Sequence, residues 1–173
     1  MKLIFTFFSI VCAFLATAQF SGDFDPSNWT LVQNTQNGNA YVDASGAPGS
    51  IVFTGSDSNE PQFFAGYDDY QITLPNGFSG CLSFDYSYQN LDVDFLDAFQ
   101  YVVNGQMTFV SYGTDASASG TITLSLNAGD VFGFRIYNGD NIYGPGVLTV
   151  SNIFTSTPST NTTIEVACDS YTW

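Results

Sequence analysis

The sequence contains no histidine, and only 2 of its 173 residues are lysine or arginine, against 16 aspartates and glutamates. Without imidazole there is no Ser-His-Asp or Cys-His nucleophile system and no histidine ligand for zinc. A net charge of −14 leaves no basic surface for nucleic acid, and an anionic membrane surface repels such a chain. These shortages exclude most common catalytic chemistries and two classes of partner.

Residues 1–18 are predicted to be a secretory signal peptide. A positive start at Met1-Lys2 is followed by an apolar run from Leu3 to Leu15, and Ala16-Thr17-Ala18 has the small-x-small pattern of a cleavage site. The run is too short for a membrane-spanning helix, which needs about 20 apolar residues. We therefore expect a secreted or cell-surface protein, in which the remaining cysteines, Cys81 and Cys168, meet oxidising conditions.

Alternating apolar and polar residues predict strands through most of the chain. The clearest stretch is 82–88, and the same period recurs at 122–126 and 132–136 on either side of a turn at 127–130. Shorter candidates lie at 29–33, 50–54, 70–74, 99–103, 107–112 and 147–154. Around nine or ten short strands without a helical period predict an all-β fold, an antiparallel two-sheet jelly-roll-like sandwich over residues 19–154.

The composition changes sharply behind the predicted sandwich. Residues 155–163 are rich in threonine and serine, which is typical of a flexible linker. Residues 164–173 begin like a strand, but ten residues cannot make a core. We expect them to be the start of a truncated second unit or repeat.

Two parts of the chain resemble known surface proteins. The stretch ACDSYTW at 167–173 resembles the opening of tandem repeats in large surface proteins of gliding Gram-negative bacteria with type IX secretion. Residues 22–154 resemble a secreted domain near the N-termini of such proteins, through FDPSNW at 24–29, the strand at 80–88, FQYVVNG at 99–105, NAGDVFGFR at 127–135 and VSNIF at 150–154. The resemblance implies an adhesin-like module, and it places the partner of Cys168 beyond residue 173. More loosely, residues 72–105 are similar to a CUB domain, a jelly-roll module that often carries calcium.

An acidic segment between two predicted strands is the main candidate for a metal site. Asp92, Asp94 and Asp97 bring three carboxylates into six residues, and calcium takes six to eight hard oxygens. The apolar residues between them are expected to pack inward and hold the loop still. Further oxygens are available at Asp23 and Asp25, or at Asp140 and Asn141. We therefore predict calcium at Asp92, Asp94 and Asp97; the alternative is that these are solvated acids that keep the protein soluble.

Aromatic residues and the single arginine of the predicted mature chain are the candidates for ligand contact. Five tyrosines in or beside loops could stack on sugar rings, although tyrosine more often fills a core: Tyr67, Tyr70, Tyr112, Tyr137 and Tyr143. Arg135 is expected to pair with an aspartate across the sheet, and the alternative is that its planar fork holds a carboxylate ligand or a sugar hydroxyl.

No pair of acids points to catalysis. Two carboxylates suffice for glycoside hydrolysis, but the only glutamates, Glu60 and Glu165, fall in a turn and in the tail. We predict a non-catalytic adhesion or recognition module that binds an extracellular glycan or a surface protein and is stabilised by calcium. The alternatives are a structural cap or spacer for a repeat protein and an accessory domain of a secreted hydrolase.

Overall fold

The computed structural model describes residues 20–58, 65–112 and 114–156. Two short 3-10 helices, Gly22–Phe24 and Pro26–Asn28, come first. The ten strands of this part of the chain are β1 (Thr30–Gln33), β2 (Tyr41–Asp43), β3 (Ser50–Thr54), β4 (Gly66–Thr73), β5 (Ser79–Asn90), β6 (Ala98–Val103), β7 (Gln106–Phe109), β8 (Ser117–Asn127), β9 (Val131–Asn138) and β10 (Gly146–Ser156). No helix within these ranges is long and apolar enough to cross a membrane.

The strands form two five-stranded sheets. The first sheet has the order β1-β4-β9-β6-β7, and the second has the order β2-β3-β10-β5-β8. Neighbouring strands are antiparallel throughout both sheets. The predicted all-β, two-sheet antiparallel sandwich is therefore confirmed.

The core between the sheets is aromatic. Trp29 stacks on Tyr70 with ring centroids 5.1 Å apart and on Phe134 at 5.4 Å. Phe84 of the second sheet meets Phe134 of the first edge-on at 5.1 Å. Stacked and edge-on pairs are the favoured geometries for aromatic rings, so this cluster joins the two sheets through specific packing as well as burial.

The period-two pattern determines which side chains reach this core. In β9, Phe132, Phe134 and Ile136 are fully buried, whereas Arg135 between them points to the opposite face of the sheet. Residues directly opposite in an antiparallel pair share a face. In the first sheet, the strand register therefore determines which residues of each strand lie side by side on the outer face, which points away from the core.

Strand positions agree with the sequence patterns, but several bounds differ: β4 and β8 begin at Gly66 and Ser117, before their predicted starts at 70 and 122, and β7 ends at Phe109, before its predicted end at 112. The predicted set omits β2, whose three residues, Tyr41–Asp43, are too few to show a period. β10 continues to Ser156, two residues past the predicted end of the sandwich at 154. The expectations for the signal peptide, for most of the linker and for residues 164–173 lie outside the described residues. Cys81 is disulfide-bonded, and the other cysteines, Cys12 and Cys168, also lie outside these residues.

Candidate functional site

The acidic loop between β5 and β6 has its carboxylates and its apolar side chains in the reverse of the expected orientation. Asp92 and Asp97 are buried, whereas Val93 is 65% exposed and Phe95 and Leu96 also lie at the surface. The expectation that the apolar residues pack inward is wrong. The reason is local hydrogen bonding, because the carboxylate of Asp92 accepts the backbone N–H groups of Asp94 (2.8 Å) and Leu96 (2.9 Å) and so folds the loop around itself.

Asp97 joins this loop to the loop between β9 and β10. Its Oδ1 accepts the N–H of Gly139 at 3.2 Å, and its Oδ2 accepts the N–H of Gly146 at 2.7 Å. Burial raises the pKa of Asp97 to about 7, the two N–H groups oppose that rise, and the nearby charges of Asp92 and Asp140 add to it. Asp97 therefore acts as a bridge between two loops at a considerable electrostatic cost.

Asp140 brings a further carboxylate to the same place. It is only 2% exposed, its Oδ1 accepts the N–H of Ile142 at 3.1 Å, and its Oδ2 is buried without a hydrogen-bond partner. Burial raises the pKa of Asp140, and the charges of Asp92, Asp94 and Asp57 raise it further. An unpartnered buried acceptor is costly in a folded protein.

The structure thus groups the predicted metal ligands differently from the sequence. Asp92 and Asp97 lie with Asp140 below the surface, while Asp94 is exposed. Within the described residues, no three or more acidic, cysteine or histidine side chains are arranged so that they could hold a metal ion. Calcium at Asp92, Asp94 and Asp97 remains a prediction.

The other suggested oxygen donors make contacts of their own. Asp25 accepts the N–H and the hydroxyl of Ser27, which caps a 3-10 helix. Asn141 is buried, donates to the hydroxyl of Ser58 at 2.6 Å and accepts the N–H of the same residue at 3.1 Å. Asp23 lies beside Phe24 in the first 3-10 helix. Asp140, the remaining suggested donor, lies close enough to the acidic loop for the charges of Asp92 and Asp94 to raise its pKa.

A second candidate region is the outer face of the first sheet, which points away from the core. One row across it reads Asp69, Arg135, Gln100 and Phe109, taken from β4, β9, β6 and β7. Tyr67 and Tyr137 are opposite one another in the adjacent row. Charged, amide and aromatic side chains therefore share this face, on which Asp69 and Gln100 are buried (6% and 3% exposed) and Phe109 is exposed.

Arg135 holds the centre of that row. Its Nε donates to Oδ1 of Asp69 at 2.6 Å and its Nη2 donates to Oδ2 at 2.8 Å, which is the two-bond geometry suited to guanidinium and carboxylate. The guanidinium carbon lies 3.7 Å from the centroid of the Tyr67 ring. The ion pair expected from the sequence is confirmed, with Asp69 as the partner, and the aromatic ring fixes the plane of the fork.

The five candidate tyrosines have different environments. Tyr70 is in the core, stacked on Trp29, and its hydroxyl donates to the carbonyl of Pro26 at 3.0 Å, so it is not a surface platform. Burial raises the pKa of Tyr70 to about 12, with a smaller contribution from Asp25. Tyr67 is covered by Arg135 and Tyr137 is half-buried. Tyr112 and Tyr143 are more than half exposed.

Tyr112 belongs to an aromatic pair that the sequence patterns do not reveal. Its ring lies parallel to that of Phe109, with centroids 4.7 Å apart and 9° between the planes. Tyr112 is 64% exposed, so its second face is open to solvent. Phe109 and Gln100 could be found from sequence only by knowing which face of β6 and β7 meets the core.

A polar cavity of about 260 Å³ opens near the β1 and β4 edge of the same sheet. Its lining residues are Asn28, Thr30, Gln71, Ile72, Thr73 and Val131. Thr30 and Gln71 are directly opposite one another on β1 and β4, and Thr73 is opposite Val131 on β9. The lining carries amides and hydroxyls and no charged side chain.

Comparisons with known proteins find similar folds. No family model matches the chain, and neither does any curated protein. The cleaved adhesin domain K2 of Lys-gingipain is 17% identical with a TM-score of 0.46, over 76% of this chain and 89% of that one. TmCBM61, solved with β-1,4-galactotriose, is 11% identical with a TM-score of 0.40, over 75% and 90%. A family 35 carbohydrate-binding module from Clostridium thermocellum is 18% identical with a TM-score of 0.37, over 75% and 93%. At these identities the likeness concerns the fold.

Proposed function

We propose that this protein is a non-catalytic extracellular recognition module that binds glycans on the outer face of its first sheet. The observation that carries the proposal is the row Asp69, Arg135, Gln100 and Phe109, extended by the ring of Tyr112. Small-molecule sites combine apolar or aromatic surface with a few fixed polar groups, and this row supplies both.

The polar part of the row suits sugar hydroxyls. The Nε and Nη2 of Arg135 both donate to Asp69, and the other guanidinium nitrogen forms no hydrogen bond with the described residues. The side-chain amide of Gln100, which pairs with Arg135 across the ladder, likewise forms none there. The guanidinium, held in place by Asp69 and Tyr67, therefore keeps a donor for a hydroxyl-rich ligand at little cost in ordering, whereas the amide of Gln100 is buried at 3% exposure.

The apolar part is the exposed face of Tyr112 backed by Phe109. A flat ring held by a parallel neighbour presents a rigid surface to the C–H face of a sugar ring. A net charge of −14 makes anionic glycans unfavourable partners for the whole chain. The face therefore fits an uncharged glycan better than an acidic one.

A glycan array probed with the full chain tests this proposal. We expect retained glycans to bind roughly tenfold more weakly to Tyr112→Ala and to Phe109→Ala, since centrally placed aromatic anchors contribute most to recognition. Tyr41→Ala and Phe154→Ala are matched controls, because both are similarly exposed but lie on the second sheet. A blank array, or equal losses in the controls, would favour the structural spacer.

We also propose that calcium stabilises the loops at 91–97 and 139–142. The support is the buried, unpartnered Oδ2 of Asp140 beside the charges of Asp92 and Asp94. Asp140 and Asp92 would supply buried carboxylate oxygens, and the exposed side chain of Asp94 is free to turn toward them. Asp92 and Asp97 each accept two backbone N–H groups and keep further lone pairs, but the two bonds of Asp97 reach a second segment, so Asp97 is better suited to hold the loops together.

Thermal melting in calcium and in chelator tests the calcium proposal. A ligand that binds only the folded state at 100 times its dissociation constant adds about 2.7 kcal/mol. Asp140→Asn is expected to remove this stabilisation, whereas Asp43→Asn, an exposed acid on β2 of the second sheet, should keep it. A melting temperature that is unchanged by millimolar calcium would refute the metal site.

A further inference from the structure

We propose that the polar cavity beside β1 and β4 is a second sugar subsite, which holds one uncharged sugar residue of a glycan that also contacts the Arg135 row. This inference rests on the proposed glycan function and adds the class and minimum length of the ligand. At about 260 Å³ the cavity is smaller than the roughly 300–1,000 Å³ of pockets for drug-sized ligands, so it suits a single ring.

The cavity and the Arg135 row lie on the same face of the sheet. Two residues toward the cavity from Arg135 and Asp69 lie Gly133 and Gln71, which are opposite one another. Gly133 lies on the outer face and has no side chain, and a Cβ there would come within 3.0 Å of the Cβ of Gln71. A glycine in mid-strand weakens a sheet and often marks close approach by another group. Here Gly133, which is itself buried, adds no side chain to the floor between the two regions.

The length of that floor exceeds one sugar ring. Successive residues on one face of a strand are about 7 Å apart. From Arg135 through Gly133 to Val131 is two such steps, or about 14 Å. A ligand that touches both Tyr112 or Arg135 and the cavity must therefore be an oligosaccharide.

The lining chemistry favours hydroxyl groups. The side chains of Thr30, Gln71 and Thr73 form no hydrogen bonds with other described residues, although they line one cavity. Asn28 donates its amide to the carbonyls of Gly22 and Asp23, which fixes its side chain. Hydroxyl and amide groups can both donate and accept, as sugar hydroxyls do. No cationic side chain in the lining is available for a carboxylate.

Acidic neighbours strengthen the case against a charged sugar. Asp130 directly precedes Val131, and its contacts with Asn104 and the N–H of Asn127 lower its pKa. Asp25 lies three residues before Asn28, and its bonds from Ser27 lower its pKa as well. Both carboxylates therefore stay ionised at neutral pH and repel a uronic acid near the cavity.

Titration calorimetry with the full chain tests the subsite. The probes are neutral cello-, manno- and galacto-oligosaccharides of two to six residues, with oligogalacturonates of equal length as the charged series. We expect affinity for a neutral series to rise with length, and the double variant Gln71→Ala/Thr73→Val to bind the longer members roughly three- to tenfold more weakly with the disaccharide unaffected. The control is Gln89→Ala/Thr149→Val, which removes the same side-chain types from the outer face of the second sheet.

The outcomes separate this inference from the proposed function. If a disaccharide binds and depends on Tyr112, but longer ligands bind no better or the Gln71→Ala/Thr73→Val variant binds them normally, the subsite is refuted and glycan recognition stands. Equal binding of oligogalacturonate refutes the assignment of an uncharged sugar. If the wild-type chain binds no member of any series, the proposed function fails and the subsite fails with it.

Discussion

Removing the charge of Arg135 should destabilise the protein mainly through what it leaves behind. Asp69 is 6% exposed, and its two oxygens face the guanidinium at 2.6 and 2.8 Å. Replacement by glutamine leaves a buried carboxylate without a counter-charge. Removing one partner of a buried ion pair costs about 3–5 kcal/mol, and we expect the lower end because the arginine side chain is 13% exposed.

The reverse variant should cost less. Asp69→Asn leaves a guanidinium that still lies over the ring of Tyr67 and reaches solvent, so we expect a loss of about 1–2 kcal/mol. The double variant Arg135→Gln/Asp69→Asn contains neither charge, and we expect its free energy of unfolding to fall by about 2–3 kcal/mol. The sum of the two single losses should therefore exceed the loss in the double variant by about 2 kcal/mol.

Urea denaturation followed by circular dichroism measures this cycle. A loss of about 3 kcal/mol also lowers the melting temperature by about 10 °C in a chain of this size. Asp85→Asn is the matched control, because Asp85 is a strand acid on the second sheet whose partners are Thr121 and Asn152. If the single losses add within about 0.5 kcal/mol in the double variant, the two side chains are not coupled and the reasoning is refuted.

Three further perturbations test the fold and its loops. Burial raises the folded-state pKa of Asp97 from 3.8 to about 7, so on raising the pH the unfolded chain loses this proton first. The contribution of Asp97 to the free energy of unfolding is therefore complete below pH 3.8 and falls by about 4 kcal/mol as the pH rises to 7. Urea melts in chelator from pH 4 to 8 should show this fall, and Asp97→Asn should flatten it; an equally steep profile in the variant would contradict the assignment. Trp29→Ala should cost about 3–5 kcal/mol in the same assay by opening a cavity between stacked rings, and a loss below about 1 kcal/mol would show that the core does not depend on it. Gly129→Ala should cost about 1 kcal/mol because the turn holds φ at +83°, and a stabilised variant would mean that the turn can rearrange.

The strands were predictable because a two-residue period is a local property. Phe132, Phe134 and Ile136 alternate with Gly133 and Arg135, and the structure buries the first three against the second sheet. The turn before them was also readable, since Gly129 adopts the positive φ that glycine tolerates. The short strand β2 was not, because three residues contain too little pattern.

The acidic loop shows where local reasoning fails. The alternation of aspartate with apolar residues at 92–97 suggested carboxylates facing outward, but the chain here is a turn. Backbone N–H groups of Asp94 and Leu96 draw the carboxylate of Asp92 inward, and those of Gly139 and of Gly146 at the start of β10 draw the carboxylate of Asp97 inward. Hydrogen-bond partners from a distant segment are not visible in a stretch of six residues.

The sequence by itself determined the excess of acid over base, the missing imidazole chemistry and the all-β class, and it predicted that the single arginine of the chain pairs with an aspartate. The sequence could not determine which aspartate pairs with Arg135, because Asp68 and Asp69 are neighbours on one strand. Tertiary structure placed Asp68 inward, where Ser56 and Asn138 hold it, and Asp69 outward against Arg135, 66 positions away. The physical reason is that composition and period act along the chain, whereas strand register and the choice of core face bring distant residues together. The outer face, its aromatic pair and its polar cavity exist only through that register.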